Sequence, residues 1–496
     1  MALKRALLLS LFLLMGCAGT SRKKTLMLRN LVQAGEYQKA SDLIEAKDFY
    51  HDKESLLLKL LERGTLQYLR ADYSNALKTF DEAKNLSDKL FTVSISKKIK
   101  AAVTNSNSDN YYGEKYERSM IRYYQALCHY QLFQDLNLEA KKRRFHLSGA
   151  KAVLLEWNSL LDNYKSTSGG VVAYKDDLLA KTFGAFIHEH AGTRADLRIA
   201  LNLYKEAKKV LLKNYNTLET YNQLHSSFKK NLNQFEKLSL KKIKTSYIKA
   251  TPYAQEFEKF LDSRIKELSK GKRSNLMVII EKGLITNKSV DKVDFPIPAA
   301  LFPASNKKDF LSFASTMMFA SAGSIPKIYF ELPKVSYNPV VEDINLIIKK
   351  GDEVVKKEKM VVVNPLANLA SMIMEEKSSG LYAGIGARVA AKHIAALLAA
   401  YATYRQLKKN GAEFMATASA ALAYAASNKA IEASERADTR NWSLLPHHYR
   451  MSSLNLPPGQ YQLILERKRG EVLTQTLLGV HDLKKGEGKL LTFRKF

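Results

Sequence analysis

The sequence predicts a multidomain α+β chain. A helical repeat part comes first, then a β-rich part that an alanine-rich helical insertion interrupts. Three observations predict this. Gly35-Glu36-Tyr37-Gln38-Lys39-Ala40 is echoed by Ala71-Asp72-Tyr73-Ser74-Asn75-Ala76, so Tyr37 matches Tyr73 and Ala40 matches Ala76 at a spacing of 36 residues. Near Leu276 the helical periodicity gives way to short apolar runs bounded by glycine and lysine turns. From Asn364 to about Ala437 the pattern is helical and alanine-rich, before β-patterned stretches resume.

The first element is the N-terminus. Lys4 and Arg5 precede an apolar run from Ala6 to Met15, the pattern of an export signal. The run is too short for a membrane span, which needs about 20 apolar residues. Leu14-Met15-Gly16-Cys17 resembles the bacterial lipoprotein signal, in which the cysteine is acylated and becomes the new N-terminus. Met15 is an unusual occupant of its position, and an ordinary secretory signal with a chance cysteine is the alternative. The resemblance implies a signal over residues 1–17, lipid on Cys17, and an extracytoplasmic chain beyond it. Ala18 stands where an aspartate would mark retention, which implies a periplasm-facing anchor on the outer membrane.

Composition narrows the function classes. Only Cys17 and Cys128 are cysteines, so a lipid-bearing Cys17 leaves no disulfide framework, and stability comes from packing. The net charge is +29, which in a cytosolic protein points first to nucleic acid. Export argues against that partner. Anionic lipid headgroups, lipopolysaccharide phosphates or acidic wall polymers are the remaining counter-charges. The bland reading is a solvated lysine-rich surface, and basic residues spread from Lys23 to Lys495 without a dominant block fit it.

Residues 18–275 read as the helical domain. Gly64, Ala76, Phe80 and Ala83 occupy the small and aromatic positions of a tetratricopeptide (TPR) repeat, whose usual period is about 34 residues. Small residues let two helices of a hairpin approach, and the aromatic ring fills the gap to the next hairpin. Ala200, Tyr204 and Ala207 repeat the spacing after a helix over 178–190. Between these copies Tyr111-Tyr112-Gly113-Glu114-Lys115-Tyr116-Glu117 precedes a periodic helix over 120–133 that carries Cys128 on its apolar stripe. Residues 104–110 and 166–170 read as loops, and 215–272 as long polar helices.

Residues 276–363 and 441–496 read as the two parts of a β-rich domain. Runs over 276–280, 293–297, 327–332, 344–348, 353–363, 460–466, 472–480 and 489–496 are the strand candidates. Roughly seven short strands fit an immunoglobulin- or transthyretin-like sandwich. Residues 364–440 form the insertion, with helices expected over 390–402 and 416–426 and Gly380, Gly384 and Gly386 ahead of the first. Arg388, Lys392 and His393 interrupt its apolar run, which disfavours a membrane-spanning hairpin.

Three patches carry a further resemblance. They are residues 112–117 with Tyr124 and Leu127, residues 200–207, and Asp438-Thr439-Arg440-Asn441-Trp442-Ser443-Leu444-Leu445-Pro446 with Leu456-Pro457-Pro458-Gly459. Together with the N-terminal signal they resemble an uncharacterised family of TPR-like-repeat-containing bacterial envelope lipoproteins. That family implies the order signal, helical repeats, β-rich part with helical insertion, terminal strands. It implies no catalytic residues.

A search for chemistry finds little. His188 and His190 project to different sides of a helix and cannot readily share a metal. His447-His448 lacks nearby cysteines or an acidic cluster. Gly384-Ile385-Gly386 lacks the strand and third glycine of a dinucleotide fingerprint, and no nucleophile elbow, phosphate loop or zinc motif occurs. No catalytic residue, metal or cofactor is expected. The candidate interaction or structural residues are Tyr112, Gly113, Glu114, Tyr116, Glu117 and Trp442. The acidic pair caps the following helix or serves as a polar contact in the repeat groove, and the structural role is preferred. Trp442 anchors the return from the insertion, or forms a binding edge.

The expected function is therefore a non-enzymatic, membrane-anchored scaffold that binds envelope proteins through its repeats, in cell-wall or outer-membrane maintenance. Neither nucleic acid nor a small-molecule substrate is expected. The alternatives are an envelope hydrolase or transferase acting on wall or lipid, and a basic surface that binds anionic envelope polymers.

Overall fold

The computed structural model describes residues 18–50, 52–98, 110–166, 176–213, 252–296, 327–336, 342–409, 411 and 413–496. The signal with Cys17, most of both expected loops and the first part of the polar helices over 215–272 lie outside the described residues. Helix accounts for 58% and strand for 22%, in separate sheets, so the chain is α+β.

Nine described helices precede the first strand: α1 Ala18–Gln33, α2 Tyr37–Glu45, α3 Leu56–Leu69, α4 Tyr73–Lys98, α5 Lys115–Gln134, α6 Ala140–Ser166, α7 Leu178–Ala191, α8 Arg194–Lys213 and α9 Pro252–Ser269. They pack as successive neighbours, with α3 on α4, α4 on α5, α5 on α6 and α7 on α8. The short connections from α3 to α4, α5 to α6 and α7 to α8 favour antiparallel neighbours. Gly64 on α3 faces Phe80 on α4 so closely that a Cβ there would lie 2.8 Å from the ring. The glycine sets how near the two helices come.

The strands are β1 Leu276–Lys282, β2 Lys288–Pro296, β3 Lys327–Val335, β4 Asp343–Lys350, β5 Glu353–Lys359, β6 Val361–Asn364, β7 His448–Leu454, β8 Gly459–Arg469, β9 Val472–Leu483 and β10 Lys489–Lys495. One four-stranded sheet runs β10-β1-β7-β6 and a second runs β5-β4-β8-β9, while β2 and β3 form a separate ribbon. Among the described pairs only β1 with β10 is parallel.

Every residue of β1 is buried because the strand lies between two layers. Leu276, Val278 and Ile280 share a core with Ile344, Leu346 and Ile348 of β4 and Tyr461, Leu463 and Leu465 of β8. Met277 and Ile279 alternate to the other face and join the helical core. The order is therefore helices, first sheet, second sheet.

Two long helices, α10 Leu366–Lys408 and α11 Glu413–Ser434, form a hairpin between β6 and β7. Gly384 and Gly386, expected ahead of a helix, lie inside α10, which is continuous across them. The β2–β3 ribbon clasps the base of this hairpin, where Phe330 packs with Ile385, Val389 and Ile431. The expected single arm over 353–363 is two strands, and they belong to different sheets. Strand β7 was not expected: His448, Arg450 and Ser452 give it a polar texture, yet the whole strand is buried.

Candidate functional site

The sequence patches around Glu114 and Trp442 lie hundreds of residues apart in the chain and meet at the seam between helices and first sheet. Gly113 takes φ +73°, a left-handed turn that suits glycine and redirects the chain into α5. Glu114 is the N-cap of α5, and Glu117 closes a capping box by accepting the Glu114 N–H (2.7 Å). Tyr112 is half-buried before the cap, and Tyr116 is buried in the helical core.

Glu117 also does more than cap. It is fully buried, takes a hydrogen bond from the Tyr111 hydroxyl, and its Oε1 accepts from the Trp442 N–H (2.7 Å). Trp442 in turn donates from Nε1 to Thr65 Oγ1 (2.9 Å) and packs beside Phe80 and Tyr124. The two candidate patches thus form one hydrogen-bonded unit.

Sequence reasoning missed the partners of this unit. Glu62 on α3, also fully buried, accepts from Ser443 N and Oγ (both 2.7 Å) and from Leu444 N (3.2 Å). Glu281 on β1 accepts from the hydroxyls of Tyr123 (3.2 Å) and Tyr124 (3.5 Å) and pairs with Arg494 (3.2 Å). Arg494 donates onward to the Leu444 carbonyl (2.6 Å), and Arg29 to those of Ser443 (2.6 Å) and Ile285 (2.9 Å). Residues 441–445 have no sheet ladder, so buried carboxylates and guanidinium groups satisfy their backbone. The available signal was a carboxylate at the end of an apolar run: Glu62 follows Leu56-Leu57-Leu58-Lys59-Leu60-Leu61, and Glu281 follows Leu276-Met277-Val278-Ile279-Ile280.

Burial governs the protonation of these acids. It lifts Glu62 to about 7, although the Ser443 and Leu444 donors pull the other way. It likewise raises Glu117 against the pull of Lys288, and Glu281 against that of Arg494. These raised carboxylates are sealed into the core.

A pocket of about 150 Å³ lies beside the cap, between α5, the ribbon and the base of the α10–α11 hairpin. Its wall includes Glu114, Lys288, Lys377, Arg388, Glu435 and Asp438. Glu114 binds both Lys288 (2.9 Å) and Lys377. Burial opposes ionisation of Glu114, but the two ammonium groups outweigh it and hold the carboxyl well below its usual range. Glu435 takes Arg388 (2.6 Å) and Lys392 (2.6 Å), and these lower its pKa despite burial. Asp438 pairs with Arg440 (2.8 Å). Glu114, Glu435 and Asp438 of the pocket wall are thus all ion-paired, and the cations hold Glu114 and Glu435 ionised near neutral pH.

The histidines separate as their spacing requires. His188 pairs with Asp196 (2.7 Å), while His190 accepts from the Gly488 N–H (2.7 Å) on the far side. His447 and His448 meet through Nδ1 (2.9 Å), and Arg450 occupies His448 Nε2 (3.2 Å). Among the described residues no cluster of histidine, cysteine and acidic side chains is suited to a metal. Cys128 is buried, and burial pushes its thiol up. No family model, curated protein or solved structure matches the chain.

Proposed function

We propose that the chain is an outer-membrane-anchored envelope lipoprotein acting as a non-enzymatic scaffold. In this reading TPR-like hairpins recognise a partner protein. The two stacked sheets, as an immunoglobulin- or transthyretin-like sandwich, are a second binding or spacing module. The process served is cell-wall or outer-membrane maintenance.

The observation that carries the reading is a division of faces on the helical layer. The inward face is committed, with Glu62 and Glu117 holding residues 442–444 and Tyr123 and Tyr124 meeting Glu281 of β1, while α6 leaves Phe145 66% and Leu155 71% exposed. We assign these two exposed side chains to contact with another protein. The ion-paired pocket and the sealed raised-pKa acids weigh against a hydrolase or transferase. The test is to cross-link intact cells that express an affinity-tagged chain and to identify what co-purifies. A stoichiometric envelope protein attached to the helical half supports the scaffold; recovery of glycan or lipid alone contradicts it.

A further inference from the structure

Beyond the part that the β2–β3 ribbon clasps, the α10–α11 hairpin continues as a two-helix shaft. Its core there consists of Leu397, Ala400, Ala420 and Tyr424, all from the hairpin itself. The segment Gly384–Lys408 is long and apolar enough to cross a membrane, yet only 28% of its 18-residue apolar window is buried. Arg388 and Lys392, which break its apolar run, are both bound by Glu435 (2.6 Å each) at the base. His393 is buried facing Tyr424 (3.3 Å). From His393 to Tyr404, and from Phe414 to Asn428, the sequence carries no acidic or basic residue. The next cations are those of the tip.

The tip combines two features. Phe414 is 83% exposed and Met415 61%. Beside them Arg405, Lys408 and Lys409 are also exposed, with Lys408 resting on the Tyr404 hydroxyl (3.0 Å) and Arg405 near the Tyr401 ring (5.9 Å). An exposed aromatic and an exposed thioether side chain at the start of α11, with three cations at the adjoining end of α10 against the one acidic Glu413, match the boundary between anionic headgroups and acyl chains.

We propose that this tip docks on a bilayer surface rich in anionic phospholipid. Phe414 and Met415 enter the acyl boundary, and Arg405, Lys408 and Lys409 lie at the level of the phosphates. Cations at the tip hold it at headgroup level, because drawing them to the centre of a bilayer is costly. Tip-to-tip packing of a second copy is disfavoured, since it would bring like charges together. The contact goes beyond a scaffold with one lipid anchor: it fixes the orientation of the body through a second point on a membrane.

The experiment uses the full chain carrying Phe414→Trp, reconstituted with vesicles of phosphatidylethanolamine and brominated phosphatidylglycerol. The native Trp157 and Trp442 are fully buried, so the bromines reach only the introduced indole. Vesicle flotation reports the anchor separately from the tip. Emission that shifts to the blue and is quenched is the expected result. With R405E, K408E and K409E added, the vesicle concentration for half-maximal quenching rises by roughly tenfold or more, while circular dichroism and thermal unfolding stay unchanged. Floated protein whose indole emits as in water and resists quenching overturns the proposal. So does a blue shift without vesicles that grows with protein concentration, which means that a second copy covers the tip.

Discussion

Glu62 collects three donors from residues 443 and 444, and Arg29 also favours its charge, yet burial prevails. Burial lifts its pKa from 4.5 to about 7, so the folded chain holds the proton more tightly than the unfolded chain. Stability contributed by this residue therefore falls as pH rises from about 4.5 to about 7, on the order of 3 kcal/mol. Glu62→Gln removes that dependence. Denaturant unfolding at pH 5 and pH 7.5 is expected to show the variant gaining on the native chain at the higher pH. The difference between the two chains isolates Glu62, because Glu117 and Glu281, whose pKa values burial also raises, and His190 and His448, whose pKa values it lowers, are common to both. Trp442→Ala is expected to cost roughly 3–5 kcal/mol, and Trp442→Phe only about 1 kcal/mol for the lost bond to Thr65. Equal losses in the two variants would show that the indole N–H, not the packing, holds the seam. The candidate residues Glu114, Glu117 and Trp442 were legible in the sequence because a capping pattern and a lone tryptophan stand out locally. Their partners Glu62, Glu281, Arg29 and Arg494 were not, since their roles arise only when distant segments meet.

Helices were more legible than strands, for a physical reason. The Gly64–Phe80 contact follows from small and aromatic residues at fixed helical spacing, which survive in the sequence whatever surrounds them. Gly64→Ala gains intrinsic helix propensity of about 1 kcal/mol but drives a Cβ against the Phe80 ring. The net expectation is a loss of about 1–2 kcal/mol, recovered in part by adding Phe80→Leu. A Gly64→Ala chain more stable than the native one in thermal unfolding would contradict close helix approach at this pair. Strand β7 escaped notice because alternation is a useful signal only when one face is wet. Both faces of β7 are covered: Tyr449 and Met451 lie in the helical core, while Arg450 reaches the backbone carbonyls of Met360 (3.0 Å) and Glu342. The alanine-rich runs 390–402 and 416–426 mark only part of the insertion's helices; α10 runs through Gly384 and Gly386, with Gly386 beside Phe330.

At the scale of the molecule, the helical layer, the first sheet and the second sheet form a stack whose seams carry specific hydrogen bonds and ion pairs. The seam at β10 repeats the principle: Gln134 takes the Leu490 N–H (2.6 Å) and donates to its carbonyl (3.1 Å), while Tyr68 donates to Thr492 (2.9 Å). At the other end Glu189 binds Arg264 (2.5 Å) and the Ser274 N–H (3.3 Å), tying α7 to α9 and to the entry of β1. Breaking one such pair leaves an uncompensated buried charge, typically ~3–5 kcal/mol, so Arg264→Met is expected to lower stability far more than a surface substitution. A change within about 0.5 kcal/mol in denaturant unfolding would show that the pair is dispensable. Among the described residues, α6 and the hairpin tip are two of the places where large apolar side chains face outward.

The measurement that bears most directly on the scaffold reading is site-specific photocross-linking in living cells. A photoreactive residue at Phe145 or Leu155 on α6 is compared with one at Lys468 on β8, an exposed position outside the helical layer. The account predicts one discrete protein adduct at the α6 positions that is absent from the β8 control and is abolished by a charged residue at the neighbouring α6 position. Adducts of equal yield at all three sites, or none at α6, would contradict it.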